Sequence, residues 1–176
     1  HLDLPMDVQA DDADVTVHGP DQFIGSGRSR PDAHDVQRAA KLLAGAKRPV
    51  IVAGGGVILA DASHELVALA EHLGIPVVTT WMGKGAIPEG HDLNGWSVGD
   101  TASTSGNTLA ANADVVLSVG CRFVDWSASS YRAGVSFTIP PSALIQIDIE
   151  PREIGKNYPV AVGLVADAKA ALRDVH

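Results

Sequence analysis

Short apolar runs alternate with amphipathic segments along most of this chain. Runs rich in β-branched residues, typical of strands buried on both faces, occur at residues 50–53, 75–79, 114–119, 143–148 and 160–165. Apolar residues at helical spacing, with a capping residue in front of them, predict helices over residues 32–45, 61–73, 108–112 and 167–172. This alternation predicts right-handed βαβ crossovers and therefore a doubly wound, parallel, Rossmann-like α/β sheet.

Two long segments lack such a pattern. Residues 80–105 contain five glycines, and residues 121–141 end at Pro140-Pro141, so both are predicted to be irregular loops. Long loops in compact domains are usually either functional or disordered, which makes residues 80–105 the region most worth testing.

The first thirty residues differ from the rest of the chain. Five aspartates and the Gly25-Ser26-Gly27 tract predict a linker over residues 7–31, or a strand that wraps another surface. His1-Leu2-Asp3-Leu4 alternates polar and apolar side chains, as the last residues of a strand do. We therefore expect residues 1–30 to be the end of a preceding domain plus a linker, and residues 31–176 to form the compact domain of a longer protein.

Composition narrows the classes of protein. The chain has 176 residues, of which 45% are hydrophobic and 19% charged, and this composition suits one globular domain. Thirteen Lys and Arg against 21 Asp and Glu give a net charge of −8, so we expect no nucleic-acid partner. No apolar stretch approaches the ~20 residues that span a bilayer, and a single cysteine excludes an internal disulfide. We expect a soluble, cytoplasmic protein without a membrane partner.

Residues suited to ligand binding follow four of the predicted strands. These are Gly54-Gly55-Gly56, Thr80-Trp81-Met82, Gly120-Cys121-Arg122 and Asp148. Because the carboxyl ends of parallel strands meet at one edge of a sheet, we expect these residues to share a crevice. Glycines let phosphates approach the backbone, arginine pairs with phosphate oxygens, and aspartate accepts hydrogen bonds from ribose hydroxyls. The pattern fits a nucleotide-sized ligand, but glycines after a strand also occur simply to form the turn.

Other chemistry has little support in the sequence. Seven histidines are scattered without an H-E-x-x-H pair, so no metal site is predicted. No G-x-S-x-G elbow follows a strand, which argues against a serine nucleophile. Cys121 is either a small buried residue or a thiol whose pKa is lowered by Arg122. No catalytic residue is predicted.

The order of several short motifs resembles that of one enzyme family. The motifs are Asp3-Leu4-Pro5, Arg48-Pro49-Val50, Gly54-Gly55-Gly56, Gly74-Ile75-Pro76-Val77, Met82-Gly83-Lys84-Gly85, Ala113-Asp114-Val115, Gly120-Cys121-Arg122-Phe123, Ile147-Asp148-Ile149-Glu150 and Glu153-Ile154-Gly155-Lys156-Asn157. Together they resemble the central domain of thiamine-diphosphate-dependent enzymes of the acetolactate (acetohydroxyacid) synthase type. The resemblance covers nearly the whole chain.

The resemblance implies a parent enzyme of three domains. The family's catalytic glutamate lies in a pyrimidine-binding domain and its Gly-Asp-Gly motif in a diphosphate-binding domain, and this sequence contains neither. It implies that thiamine diphosphate and magnesium are bound by those two domains. It also implies that the parent is a homo-oligomeric carboligase or decarboxylase, and so a transferase or lyase, or a related hydrolase, acting on 2-keto acids or cyclic diketones. The central domain is then architectural, and inactive on its own.

The resemblance also implies an FAD- or NAD-binding-like domain. The positions carried over as cofactor contacts are Gly54, Gly55, Gly56, Thr80, Trp81, Met82, Gly120, Cys121, Arg122, Asp148, Ile149, Glu153, Asp167 and Ala168, with Arg28 matching an upstream arginine. Two departures remove polar contacts: residues 99–102 read Gly-Asp-Thr-Ala instead of Gly-Met-His-Gly, and residues 122–126 read Arg-Phe-Val-Asp-Trp instead of Arg-Phe-Asp-Asp-Arg. The sequence therefore favours a domain without FAD.

Two other functions fit the same scaffold. A free-standing NAD-dependent deacylase or oxidoreductase would need a catalytic histidine near the strand ends, and His91 is the candidate. A nucleotide sensor would bind ADP without performing chemistry on it.

Overall fold

A computed structural model describes residues 1–25 and 27–176, so that Ser26 of the predicted linker lies outside the described residues. Its strands are β1 (Pro49–Ala53), β2 (Val77–Thr79), β3 (Asn94–Ser97), β4 (Val115–Val119), β5 (Ala143–Asp148) and β6 (Val162–Val165). Its helices are α1 (Met6–Ala10), α2 (Ala33–Gly45), α3 (Gly55–Leu59), α4 (Ser63–Leu73), α5 (Thr104–Ala111) and α6 (Ala168–Val175).

The strands form one sheet in the order β3-β2-β1-β4-β5-β6, and every pair is parallel. The chain builds one half of this sheet outward from β1 and the other half outward from β4. The direction of winding therefore reverses between β1 and β4, and such a reversal defines the topological switch point of a doubly wound fold. The predicted fold class is confirmed.

The two faces of the sheet are covered in different ways. Ile51, Leu117 and Ile145 point into a core formed with α2, α3, α4 and α6. Neighbouring residues such as Val52 and Val116 point to the opposite face, because side chains alternate along a strand. There they pack against α5 and the irregular chain after β4. Each large aliphatic side chain buried in this way contributes roughly 1.5–3 kcal/mol of hydrophobic stabilisation.

An aromatic cluster takes the place of a second helix on the α5 face. Phe123, Phe137 and Tyr158 meet edge to face, with ring centroids 5.2–6.0 Å apart. The segment predicted as an irregular loop over residues 121–141 therefore differs in part from that prediction, because it contains a kinked 3-10 helix, Asp125–Tyr131. Most of its residues are exposed, but a few of its side chains, such as Phe123 and Phe137, are buried and cover the sheet.

The sequence prediction missed α1, β3 and α3, and it began α5 too late. α1 lies at the start of the stretch predicted as a linker. β3 was not predicted, because Asn94–Ser97 has no apolar run and is an edge strand at the end of the sheet. α3 was not predicted either, because its first residues are glycines. α5 begins at Thr104 rather than at residue 108, since the Ser103 side chain accepts a hydrogen bond from the backbone N–H of Gly106.

The first 25 residues make little contact with the domain. Residues 1–5 lie outside helices and strands, so the strand expected at residues 1–4 is not formed in this chain. α1 buries none of its side chains, and large apolar residues such as Leu2, Met6 and Val17 are exposed. No helix in the described ranges is long and apolar enough to cross a membrane.

One carboxylate joins two connections at the amino edge of the sheet. Asp114 accepts hydrogen bonds from the backbone N–H groups of Lys47 (2.8 Å) and Arg48 (2.9 Å). The backbone N–H of Lys47 is the main cause of a lowered pKa of Asp114. The ionised carboxylate therefore ties the residue before β4 to the residues before β1.

We expect Asp114→Ala to lower the free energy of unfolding by about 1–2 kcal/mol at pH 7, because two charge-assisted hydrogen bonds are lost. Since folding lowers this pKa, the contribution is complete above the unfolded-state pKa of about 3.9 and disappears as pH falls through the folded-state value. Urea unfolding at pH 7 and pH 3 measures the difference. Asp92→Ala, which removes an exposed carboxylate, is the control. An equal loss of stability at both pH values would contradict this account.

Candidate functional site

The exits of β1 and β4 touch each other at the switch point. The backbone N–H of Gly54 donates to the carbonyl of Val119 (2.9 Å), and that of Gly56 donates to the carbonyl of Gly120 (3.1 Å). A Cβ on Gly54 would overlap the carbonyl oxygen of Gly120, and a Cβ on Gly56 would lie 2.7 Å from the Cα of Gly120. These glycines are therefore required by the approach of two backbones to each other.

Gly120 is the most constrained of these residues. Its φ is +57°, a left-handed conformation that L side chains rarely adopt, and a Cβ there would lie 2.5 Å from the Cα of Gly56. The turn after β4 can take this path only with glycine at this position. The strand exits thus form a floor of bare backbone.

A groove of about 470 Å³ opens above this floor. Twelve of the fourteen residues that the sequence suggested for cofactor contacts line it: Gly54, Gly55, Gly56, Thr80, Met82, Gly120, Cys121, Arg122, Asp148, Ile149, Asp167 and Ala168. The volume lies within the ~300–1,000 Å³ of small-molecule sites. The predicted crevice at the carboxyl edge of the sheet is therefore present.

Two of the predicted residues lie outside the groove. The Trp81 side chain is 74% exposed and lies beside the groove at the start of a 3-10 turn, Trp81–Gly83. Glu153 pairs with Lys156 through Oε1 (2.9 Å), while its Oε2 is buried without a hydrogen-bond partner in the described residues.

Seven further lining residues were not predicted. They are Leu59, Ala60, Val124, Ser127, Ile147, Glu150 and Ala166. Ile147, Glu150 and Ala166 are close neighbours of predicted residues, so their proximity in sequence was a usable signal. Leu59 and Ala60 come from the unpredicted helix α3, and Val124 and Ser127 from the irregular chain after β4. Their positions depend on tertiary packing.

The polar groups of the groove carry charges of both signs. Arg122 is an exposed cation on the β4 exit. Burial raises the pKa of Asp148 at the end of β5, and the nearby charge of Glu153 adds to the effect. The carboxylate of Asp148 accepts a hydrogen bond from the backbone N–H of Glu150 (3.0 Å), which leaves its second oxygen able to accept from a ligand hydroxyl. A cation and a buried carboxylate therefore stand at adjacent strand exits.

Two other carboxylates of the groove already have partners. The Glu150 side chain bonds Arg152, which lowers the pKa of Glu150 to about 2. Asp167 caps α6 by accepting from the N–H of Ala170 (3.1 Å), and its other oxygen pairs with Arg28 (2.7 Å). Arg28 does not line the groove itself, but it holds Asp167 in place at one end of it.

Cys121 is a buried residue rather than a reactive thiol. Its side chain is almost completely covered, and burial raises its pKa to about 11. The charge of Arg122 lowers this pKa only slightly, because desolvation of the thiolate dominates. The structure therefore supports the interpretation of Cys121 as a small buried residue, and not as a thiol whose pKa is lowered by Arg122.

Histidine or metal chemistry has no support at this groove. No histidine lines it in the part of the chain that the structure describes, and the same residues contain no cluster of three or more potential metal ligands. His91 lies before β3, at the amino edge of the sheet, where its ring bonds Glu71 (3.1 Å) and the N–H of Leu93 (3.1 Å). His91, the candidate catalytic histidine of an NAD-dependent enzyme, therefore lies at the edge of the sheet opposite the groove.

We expect Gly120→Ala to lower the free energy of unfolding by about 2–5 kcal/mol, since it combines a left-handed conformation with a backbone collision. Gly74→Ala is the matched control, because Gly74 also has positive φ (+64°) but open space at its Cβ position. The control should lose only about 1–2 kcal/mol. Urea denaturation of both variants measures the two losses, and equal losses would refute the collision.

The comparisons with known proteins agree with this geometry. Residues 36–175 match the family described as "Thiamine pyrophosphate enzyme, central domain". The chain is 42% identical to a probable acetolactate synthase large subunit of Methanocaldococcus jannaschii, over 99% of this chain and 30% of that protein. It is 39% identical to a glyoxylate carboligase of Escherichia coli O157:H7, over 97% of this chain and 28% of that protein.

A third relative has a different reaction in its name. A sulfoacetaldehyde acetyltransferase of Rhodobacter capsulatus is 38% identical, over 99% of this chain and 29% of that protein. The chain spans about three tenths of the length of these relatives. With the parallel sheet and its switch-point groove, the match over residues 36–175 shows that this chain belongs to the central-domain family of thiamine pyrophosphate enzymes.

Proposed function

We propose that this chain is the central domain of a larger thiamine-diphosphate-dependent enzyme, a transferase, lyase or related hydrolase that acts on 2-keto acids or cyclic diketones. Its relatives are named as an acetolactate synthase, a carboligase and an acetyltransferase, and each is more than three times as long. In the parent, this domain supplies architecture and a ligand groove. No histidine lines the groove among the described residues, and its one thiol, Cys121, is buried with a raised pKa.

Thiamine diphosphate and magnesium are assigned to the other domains of the parent. The described residues offer no metal-ligand cluster that would fit the magnesium ion. When bound, thiamine diphosphate supplies the stabilised carbanion on which this class of chemistry depends. The residues of the present chain therefore take no direct part in that chemistry.

We further propose that the groove binds a nucleotide through its adenosine diphosphate portion. The observation that carries this proposal is the position of the groove, at the switch point between β1 and β4, where ligands of doubly wound sheets bind. Arg122 can pair with the diphosphate, and the free oxygen of Asp148 can accept from a ribose hydroxyl. The bare floor at Gly54 and Gly120 lets a ligand approach the backbone closely.

The residues fit the nucleotide portion of FAD better than its flavin ring. Val124 presents an apolar side chain to the groove where FAD-binding members carry an acid, and Trp126 replaces their arginine. The histidine of the Gly-Met-His-Gly motif is replaced within residues 99–102. Fewer polar groups are therefore available to a flavin, and we propose ADP-like recognition as the property of this groove.

The N-terminal residues are proposed to belong to a different surface. Residues 1–30 would be the end of the pyrimidine-binding domain and a linker, which agrees with the exposure of Leu2, Met6 and Val17. The partners of residues 31–176 would be the pyrimidine-binding and diphosphate-binding domains of the parent, assembled as a homo-oligomer in the cytoplasm.

Calorimetric titration with ADP, FAD and NAD tests the nucleotide proposal. We expect ADP and FAD to bind the 176-residue chain with dissociation constants in the micromolar range. Arg122→Ala should weaken both about tenfold or more, because one charged hydrogen-bonding partner of the diphosphate is lost. Lys41→Ala, which removes an exposed cation on α2, is the control and should leave the affinities unchanged.

The three ligands separate the alternatives. Much tighter binding of FAD than of ADP would show that the flavin is recognised as well, and binding of ADP alone would favour a nucleotide sensor. If no ligand gives a heat of binding in calorimetry and none raises the melting temperature in a thermal-shift assay, nucleotide binding is contradicted. The domain would then have a purely architectural role.

We also expect this chain to consume no pyruvate in the presence of thiamine diphosphate and magnesium, since the residues that bind these two cofactors are assigned to the other domains of the parent. Pyruvate depletion over several hours measures this activity. The same assay with a full-length acetolactate synthase is the positive control, because it shows that the conditions allow pyruvate to be consumed. Turnover above the blank by the 176-residue chain would refute its assignment as a noncatalytic domain.

A further inference from the structure

One wall of the groove comes from the chain after β4, which contains a kinked 3-10 helix, Asp125–Tyr131, between irregular stretches. The segment after β4, residues 123–137, which we term the exit segment, contributes Val124 and Ser127 to the groove. Its Phe123, Ala128 and Phe137 are buried in the core on the α5 face. The same short segment therefore covers the sheet and shapes the ligand site.

The backbone of the exit segment is held in an unfavourable conformation. Ser129, Ser130 and Tyr131 are consecutive and have φ values of +49°, +54° and +57°. Left-handed conformations are disfavoured for residues with a Cβ, and glycine usually occupies them. Three such residues in a row persist only when surrounding contacts hold them in place.

Two buried serines and one half-buried asparagine provide those contacts. Ser129 and Ser136 are completely buried, and their hydroxyl oxygens lie 2.6 Å apart. Ser136 donates to Oδ1 of Asn107 on α5 (2.9 Å). A hydroxyl has a single proton, so Ser129 must donate to Ser136. This Ser129–Ser136–Asn107 relay is thus a directed chain of hydrogen bonds from the exit segment to a helix.

Asn107 extends the connection to the exit of β3. Its Oδ1 also accepts from the N–H of Gly99 (3.0 Å), and its Nδ2 donates to the carbonyl of Gly99 (2.9 Å). The next residue, Asp100, donates its N–H to the carbonyl of Trp126 in the exit segment (2.9 Å). One asparagine therefore couples the exits of β3 and β4, with its amide oxygen and nitrogen both paired.

We infer that the Ser129–Ser136–Asn107 relay positions the groove wall for ligand binding: it holds the left-handed turn at residues 129–131 and thereby places Val124 and Ser127 against the nucleotide. The inference rests on the proposed nucleotide-binding function of the groove. None of the three relay residues lines the groove, so they act as positioning residues rather than as ligand contacts.

The matched control lies two residues from the centre of the relay. Ser136→Ala removes both hydrogen bonds of that centre. Thr138→Val removes a hydroxyl that donates to the carbonyl of Ala111 (2.8 Å) at the end of α5, away from the turn. Each variant loses one hydroxyl that is hydrogen-bonded toward α5, from a completely buried residue in Ser136→Ala and from a half-buried residue just after the exit segment in Thr138→Val, so a general loss of stability affects both of them.

Amide hydrogen exchange measures how well the backbone of the exit segment is held in place, and it needs no ligand. We expect exchange at residues 124–132 to accelerate at least tenfold in Ser136→Ala and to stay unchanged in Thr138→Val, with α2 unchanged in both. Ser129→Ala removes only the hydrogen bond from Ser129 to Ser136, so it should accelerate exchange less. It replaces Ser136→Ala as the test variant if Ser136→Ala does not fold. Equal exchange at residues 124–132 in the relay variants and the wild type would overturn the inference.

ADP titration then links the wall to binding. Ser136→Ala should weaken ADP at least tenfold at a temperature where it is fully folded, whereas Thr138→Val should bind like the wild type. Accelerated exchange with unchanged ADP affinity would overturn the claim that the wall serves the ligand. Failure of the wild type to bind ADP would refute the proposed function alone, since exchange tests the relay independently.

Discussion

The structure depends on the contact between two backbones, those of the β1 and β4 exits. Gly54 and Gly56 pack directly against Gly120, at distances that leave no room for side chains. This contact is possible because β1 and β4 are neighbours from which the two halves of the sheet wind in opposite directions. The close approach of these two backbones packs the centre of the sheet and requires glycines there. Because glycines have no side chains, the floor of the groove is bare backbone, so core packing and the potential binding surface have the same physical cause.

The groove walls are built on two different principles. The wall formed by α3 and the start of α6 belongs to regular helices packed on a conventional aliphatic core. The opposite wall belongs to irregular chain, held by the edge-to-face aromatic cluster around Phe123 and by buried hydroxyl and amide groups. A regular wall tolerates sequence change if its apolar stripe is kept, whereas an irregular one depends on individual hydrogen bonds.

A central domain without chemistry of its own is consistent with the groups around the groove. Its thiol is buried, its histidine candidate lies at the opposite edge, and two of its carboxylates are occupied by arginines. What remains is one cation and one buried carboxylate beside an open floor. Such a set can orient a ligand. The relatives named as synthase, carboligase and acetyltransferase share this domain despite their different reactions.

Elements with strong local signals could be predicted from the sequence. β1, β4 and β5 are largely apolar runs, and α2, α4 and α6 have helical spacing with recognisable ends, so the fold class and the groove residues at the strand exits followed from local patterns. The family resemblance added Ile149, Asp167 and Ala168. The remaining features depend on contacts between parts of the chain that are separate in sequence. β3 forms by pairing with β2 at the sheet edge, and the turn at Ser129 is connected through Ser136 to Asn107 on α5. Local sequence carries no record of such partners, because the free energy that selects these conformations comes from contacts formed only after the chain has folded.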